Sequence, residues 1–93
     1  MIHSFGDKDT ESLFRREVVR KFPPNLLQRA RNKLLVIHAA ASERDLNIPP
    51  GNRFEKLHGD KKGLCSIRIN EQWRVVFKWA EGNAHDVSIT DYH

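Results

Sequence analysis

The hydrophobic pattern of this chain changes period once, at Pro49-Pro50-Gly51, and the change divides the sequence into a helical half and a strand half. Before it, from Asn25 onward, Leu27, Ala30, Leu34, Ile37 and Ala41 recur at steps of three and four, which places them on one face of a helix. After it, apolar residues fall at every second position: Cys65, Ile67 and Ile69 in "CSIRIN", Trp73, Val75, Phe77 and Trp79 in "WRVVFKW", and Val87 and Ile89 in "HDVSITDYH". A period of two marks strands with one buried face. The connections "NEQ" and "AEGN" are short enough for antiparallel hairpins. The order predicts an α+β fold, two N-terminal helices packed on a mostly antiparallel sheet of four to five strands.

Local punctuation sets the remaining elements. "MIHSF" predicts a short strand, and "GDKDTESLF" a helix start. Asp7 or Asp9 can cap that helix by accepting free backbone N–H groups of the first turn, with Glu11 adding favourable charge, so the helix is expected to run toward Arg20. "KFPPN" ends it, because a proline restricts the residue before it to extended geometry. "SERDLNIPPG" adds a short turn capped by Ser42, "RFEKLHG" a further strand, and "GDKKG" a loop. At 93 residues, the chain fits one domain spanning 1–93.

The formal charge is +4, from 16 Lys and Arg against 12 Asp and Glu, so the placement of the excess matters more than its size. Past Glu55 the cations Lys56, Lys61, Lys62, Arg68, Arg74 and Lys78 alternate with His58, Trp73 and Trp79. Cations beside rings suit a phosphate-bearing partner such as nucleic acid, while the bland alternative is a solvated basic face. Cys65 is the single cysteine, which excludes an intrachain disulfide and suits a reducing compartment. "MIHSFGDKDT" lacks the basic and apolar regions of a secretory signal, and "LLVIHAAAS" is too short to cross a bilayer, so the expectation is a cytoplasmic protein with no membrane association. His38 has no second ligand at metal spacing and reads as a packed histidine.

Strand parity then gathers the chemistry. If the helices cover the face of Ile67, Val75, Phe77 and Val87, then Arg68, Arg74 and Tyr92 project from the opposite, open face. His58 precedes the Gly-Asp loop, and His93 follows Tyr92 at the end of the last strand. Cys65 lies on the core face and no Ser-His-Asp spacing stands out, so nucleophilic catalysis is poorly supported, and no ligand spacing points to a metal or another cofactor. Metal-free RNA cleavage suits the inventory: it needs a base for a 2′-hydroxyl, cations for the phosphorane oxyanion and an acid for the departing 5′-oxygen. Arginine holds phosphate with a planar fork, and histidine exchanges protons near neutral pH.

The stretch "KLHGDKKGLCSIRINEQWRVVFKW" followed by "DYH", with "MI.SF" and "PPGNR" upstream, resembles the HigB toxins of the RelE superfamily over essentially the whole chain. The resemblance implies a microbial-ribonuclease-like fold and the toxin of a bacterial type II toxin–antitoxin system, a ribosome-dependent endoribonuclease that cuts messenger RNA in the A site. It implies as partners a HigA-like helix-turn-helix antitoxin, the 70S ribosome and its message, and operator DNA only through the antitoxin. By the same resemblance Arg68, Arg74, Asp91, Tyr92 and His93 are catalytic, and His58 stands where some relatives carry Lys. Lys56, Lys61, Lys62 and Lys78 are the expected RNA or ribosome contacts. The alternatives are a non-catalytic basic RNA- or protein-binding module and an attenuated toxin acting mainly as co-repressor with its antitoxin.

Overall fold

The two-residue period yields three long antiparallel strands and a short one in a computed structural model that describes residues 1–57 and 63–91. Strands β1 (Glu55–Lys56), β2 (Leu64–Arg68), β3 (Trp73–Ala80) and β4 (Asn83–Asp91) lie side by side in chain order, each antiparallel to the next. The β3–β4 turn is Glu81-Gly82, with both residues at positive φ (54° and 78°), the backbone that matches the strands' twist in a two-residue hairpin. In the β2–β3 turn the Asn70 side-chain oxygen accepts from the backbone N–H groups of Gln72 and Trp73, each at 2.8 Å. Of the strand expected over "RFEKLHG", the described residues show β1, which starts after Phe54 because Arg53 adopts left-handed backbone (φ 48°); His58 and Gly59 lie outside the described residues.

Three helices cover one face of the sheet: α1 (Lys8–Phe14), α2 (Pro24–Ala39) and the single turn α3 (Glu43–Leu46). Asp7 caps α1, its carboxylate accepting from the Thr10 N–H at 2.7 Å. The helix stops at Phe14 instead of continuing toward Arg20. Arg16, at φ 62°, closes it in a Schellman arrangement, in which Glu17 N–H donates to Ser12 O and Arg16 N–H to Leu13 O. The chain beyond the stop turns inward to bury Val19 and Phe22. Pro24 opens α2 at the first helical position, where its missing N–H removes no bond. The buried stripe of α2 is Leu26, Ala30, Leu34 and Ile37; Leu27 is half-buried, and Ala41 lies exposed beyond the helix end.

The core forms where that stripe, Leu13 and Leu46 meet Cys65, Ile67, Ile69, Val75, Phe77, Ala84, Val87 and Ile89 from the sheet. Phe77 is fully buried near its centre, and burying a side chain of that kind contributes roughly 1.5–3 kcal/mol. A bulge at Asp86 (φ 54°) corrects the parity of β4, so Ala84 joins Val87 and Ile89 on the core side. The N-terminal segment runs parallel along the outer edge of β4 through bridges Ile2–Ala84 and Phe5–Val87. His38 is packed as the sequence suggests, its Nδ1 accepting from the Ile2 N–H at 3.2 Å and its ring resting on Phe14. No helix among the described residues is long and apolar enough to cross a membrane.

Candidate active site

On the sheet face turned away from the helices, Arg68 of β2 and Arg74 of β3 stand directly opposite each other, in register with Thr90 of β4. Like charges placed opposite on adjacent strands repel, so this pair disfavours the sheet unless an anion lies over it. Both arginines line an open pocket of about 240 Å³ together with Arg53, Glu55, Asn70 and Glu71. Arg74 crosses the face in a fixed pose: its Nε donates to the hydroxyl of Ser66 at 2.9 Å and its Nη2 to the backbone carbonyl of Arg53 at 2.6 Å. Ser66 is completely buried beneath it. A half-buried guanidinium held at two points presents a directed positive charge, the arrangement that stabilises a developing phosphorane oxyanion.

The other residues singled out by the sequence are distributed differently. Asp91 ends β4 opposite Trp73, and its carboxylate accepts from the Gln72 side-chain amide at 3.0 Å. Trp73 packs edge-to-face on Phe22, so Asp91 shares the parity of the helix-covered face and sits beside the arginine pair instead of between its members. Lys78 is exposed on the open face, four residues along β3 from Arg74. Lys56 is paired with Cys65, the parity of the other face, and its ammonium meets Glu43 of α3 at 3.0 Å, which holds it above the ordinary lysine range. Cys65 itself is buried and burial pushes its thiol up, in keeping with a packing role. His58, Lys61, Lys62, Tyr92 and His93 lie outside the described residues.

The comparison with known families matches residues 3–93 to the RelE-like toxin of type II toxin–antitoxin system HigB. The chain belongs to this HigB-like toxin family. Among curated relatives it is similar to Toxin HigB-1 of Vibrio cholerae serotype O1, 44% identical over 85 residues and 90% of each chain. It is also similar to Endoribonuclease HigB of Proteus vulgaris, 32% identical over 96 residues and the full length of both. Among solved structures, the YoeB dimer from Staphylococcus aureus shares the fold at TM-score 0.61 and 16% identity, over 99% of this chain and 97% of that one. The helices on a four-stranded antiparallel sheet are thus a RelE-like fold, and a toxin of such a system has an antitoxin as partner.

Three residues around the arginine pair were not among the sequence candidates. Ser66 and Arg53 hold Arg74, and Asn52 holds Arg53 in place from behind. Asn52 is fully buried, donating through Nδ2 to the carbonyls of Leu46 (3.1 Å) and Ile48 (3.2 Å), while its Oδ1 accepts from Lys33 on α2. Burial and the neighbouring Arg29 charge hold the Lys33 ammonium below its ordinary range. The sequence carried one signal for this strut. An Asn-Arg pair directly after Pro-Pro-Gly is a turn with a side chain able to satisfy backbone groups, and buried amides are retained where they do so.

Proposed function

We propose that this chain is a ribosome-dependent endoribonuclease that cuts messenger RNA in the A site, with a HigA-like helix-turn-helix antitoxin holding it inactive and carrying it to operator DNA. Membership of the toxin family and the relative named Endoribonuclease HigB support the reaction class. The observation that carries the reading is the cross-strand pair Arg68 and Arg74 on the open face, with Arg74 fixed by Ser66 and the Arg53 carbonyl. In the proposed reaction the arginines hold the scissile phosphate and neutralise charge as the 2′-oxygen attacks. The 2′-hydroxyl loses its proton to a base and the 5′-oxygen gains one from an acid, roles drawn from His58, Tyr92, His93 and Asp91. Lys78 on the open face, together with Lys61 and Lys62, is proposed to contact ribosomal RNA, and Lys56, on the face opposite the arginines, contacts it apart from the site.

Induced expression of the wild-type chain and of Arg74→Ala tests the reading. The wild type is expected to arrest growth and leave messages cut on translating ribosomes, as mapped by primer extension. Arg74→Ala is expected to remain folded and to lose cleavage by at least ~100-fold, the scale of removing one preorganised oxyanion contact. Growth arrest without cut messages would replace this reading with a non-catalytic binding module.

A further inference from the structure

We propose that Arg53 is a third phosphate-holding arginine of this site, binding a phosphodiester of the single-stranded RNA alongside Arg68 and Arg74. The proposal rests on the RNA-cleaving reading above and extends it to Arg53, which closes the "PPGNR" stretch but has no role assigned by strand parity or by the resemblance.

Its backbone is the first indication. Arg53 sits at φ 48° and ψ 56°, left-handed geometry that disfavours a side chain by roughly 1–2 kcal/mol and that Gly or Asn would adopt more readily. The geometry is held on both sides: the Arg53 N–H donates to Pro50 O at 3.0 Å, its carbonyl accepts from Arg74, and Asn52 anchors the preceding residue in the core. The Cα is fixed while the side chain remains exposed at the pocket. Arg16, Glu81 and Asp86 share this geometry in a cap, a turn and a bulge; Arg53 differs in that its side chain opens onto the arginine pocket.

Charge is the second indication. Among the described residues neither the Arg53 nor the Arg68 guanidinium has a hydrogen-bond or ion-pair partner, although Glu55 and Glu71 line the same pocket. Among the described residues lining it, three arginines against two glutamates leave the pocket one positive charge, the match for the single negative charge of one phosphodiester. A guanidinium offers phosphate two parallel donors, so a third arginine converging on one pocket adds geometric selection for a backbone phosphate as well as charge.

The test titrates the full chain with a single-stranded RNA oligonucleotide made uncleavable by 2′-O-methyl groups, following fluorescence anisotropy over about 50 to 200 mM salt. Arg53→Asn keeps the left-handed backbone and the carbonyl for Arg74 but removes the cation, Arg53→Gly repeats that change independently, and Arg53→Lys restores the charge. The Asn and Gly variants are expected to bind about tenfold more weakly at low salt, with the slope of log affinity against log salt reduced by about 0.7, one phosphate contact on a single strand. Arg53→Lys is expected to keep the wild-type slope. Folded Asn or Gly variants with wild-type affinity and slope would overturn the proposal, as would a Lys variant that loses the slope, which would show that the cation at this position does not contact phosphate. Cleavage on programmed ribosomes, measured in parallel, separates the two readings. A chain that cuts messages yet does not bind the oligonucleotide overturns the phosphate pocket alone. A chain that binds it with the expected Arg53 dependence and cuts nothing supports the pocket while refuting the nuclease.

Discussion

Ser66 shows how much a small buried hydroxyl can control at the residue scale. Its neighbours in β2, Cys65 and Ile67, face the core, whereas Ser66 faces the open side and is nevertheless fully buried, because the Arg74 side chain lies across it. The hydroxyl accepts the Nε–H of Arg74 and so fixes the plane of the guanidinium as well as its distance from the sheet. Without that acceptor, Arg74 keeps its charge and its contact with the Arg53 carbonyl but gains rotational freedom. Ser66→Ala is therefore expected to cost about 1.5–3 kcal/mol in thermal or denaturant unfolding, the scale of a hydrogen bond to a charged group. Cleavage at saturating toxin should fall roughly tenfold or more through misorientation, with affinity for ribosomes unchanged. Single-turnover kinetics on programmed ribosomes read this split; equal losses in affinity and maximal rate would show that Ser66 serves binding or packing instead of orientation.

At the scale of elements, the end of α1 and the edge of β4 carry the instructive physics. Helix α1 ends in a Schellman arrangement whose left-handed position is Arg16, a residue with a Cβ that disfavours that geometry. Arg16→Gly removes the steric penalty while leaving both capping bonds in place, and is expected to stabilise the fold by about 0.5–1 kcal/mol, read as a higher denaturation midpoint with unchanged slope. A destabilised variant would mean that the Arg16 side chain supports the turn. The outer edge of β4 would otherwise present unpaired N–H groups to solvent. Met1 O, the Ser4 hydroxyl, Ser4 O and the Thr10 hydroxyl accept from Ala84, Asp86, Val87 and Ile89 respectively, so residues 1–10 cover the edge as a fifth strand would. Gly6 permits that close approach, since a Cβ there would lie 2.3 Å from the Ser88 hydroxyl and 3.0 Å from Asp86 O.

For the molecule as a whole, the helices and the proposed site occupy opposite faces of one sheet. The core face is closed by α1, α2 and α3, and the open face carries Arg68, Arg74, Lys78 and the Arg53 pocket. In the proposed reaction the guanidiniums supply the positive charge to phosphate; among the described residues no group of three His, Cys, Asp or Glu side chains is placed to hold a metal ion. Toxin treated with EDTA and desalted before mixing with magnesium-stabilised ribosomes is accordingly expected to cut messages at the untreated rate. Loss of activity that zinc or manganese restored, with ribosomes shown intact, would place a metal in the mechanism.

The sequence by itself determined the change from helical to strand period, the hairpin connections, the packing of His38 and Cys65, and the shared parity of Arg68 and Arg74. Each of these depends on steric and hydrophobic patterns spanning a few residues, which the chain carries wherever it folds. It did not determine where α1 stops, because the capping turn lacks the glycine that marks such turns in sequence, nor the phase of the α2 stripe, which is settled by what the sheet leaves to be filled. Only the tertiary structure placed Lys56 on the face opposite the arginines, since two-residue β1 takes its parity from its pairing with β2. Only the tertiary structure brought Arg53 into the site and the N-terminal segment to β4, through bonds between residues 21 and 82 positions apart. Contacts at such separations are fixed by chain closure around the core, and no local pattern encodes which distant carbonyl a given guanidinium will meet.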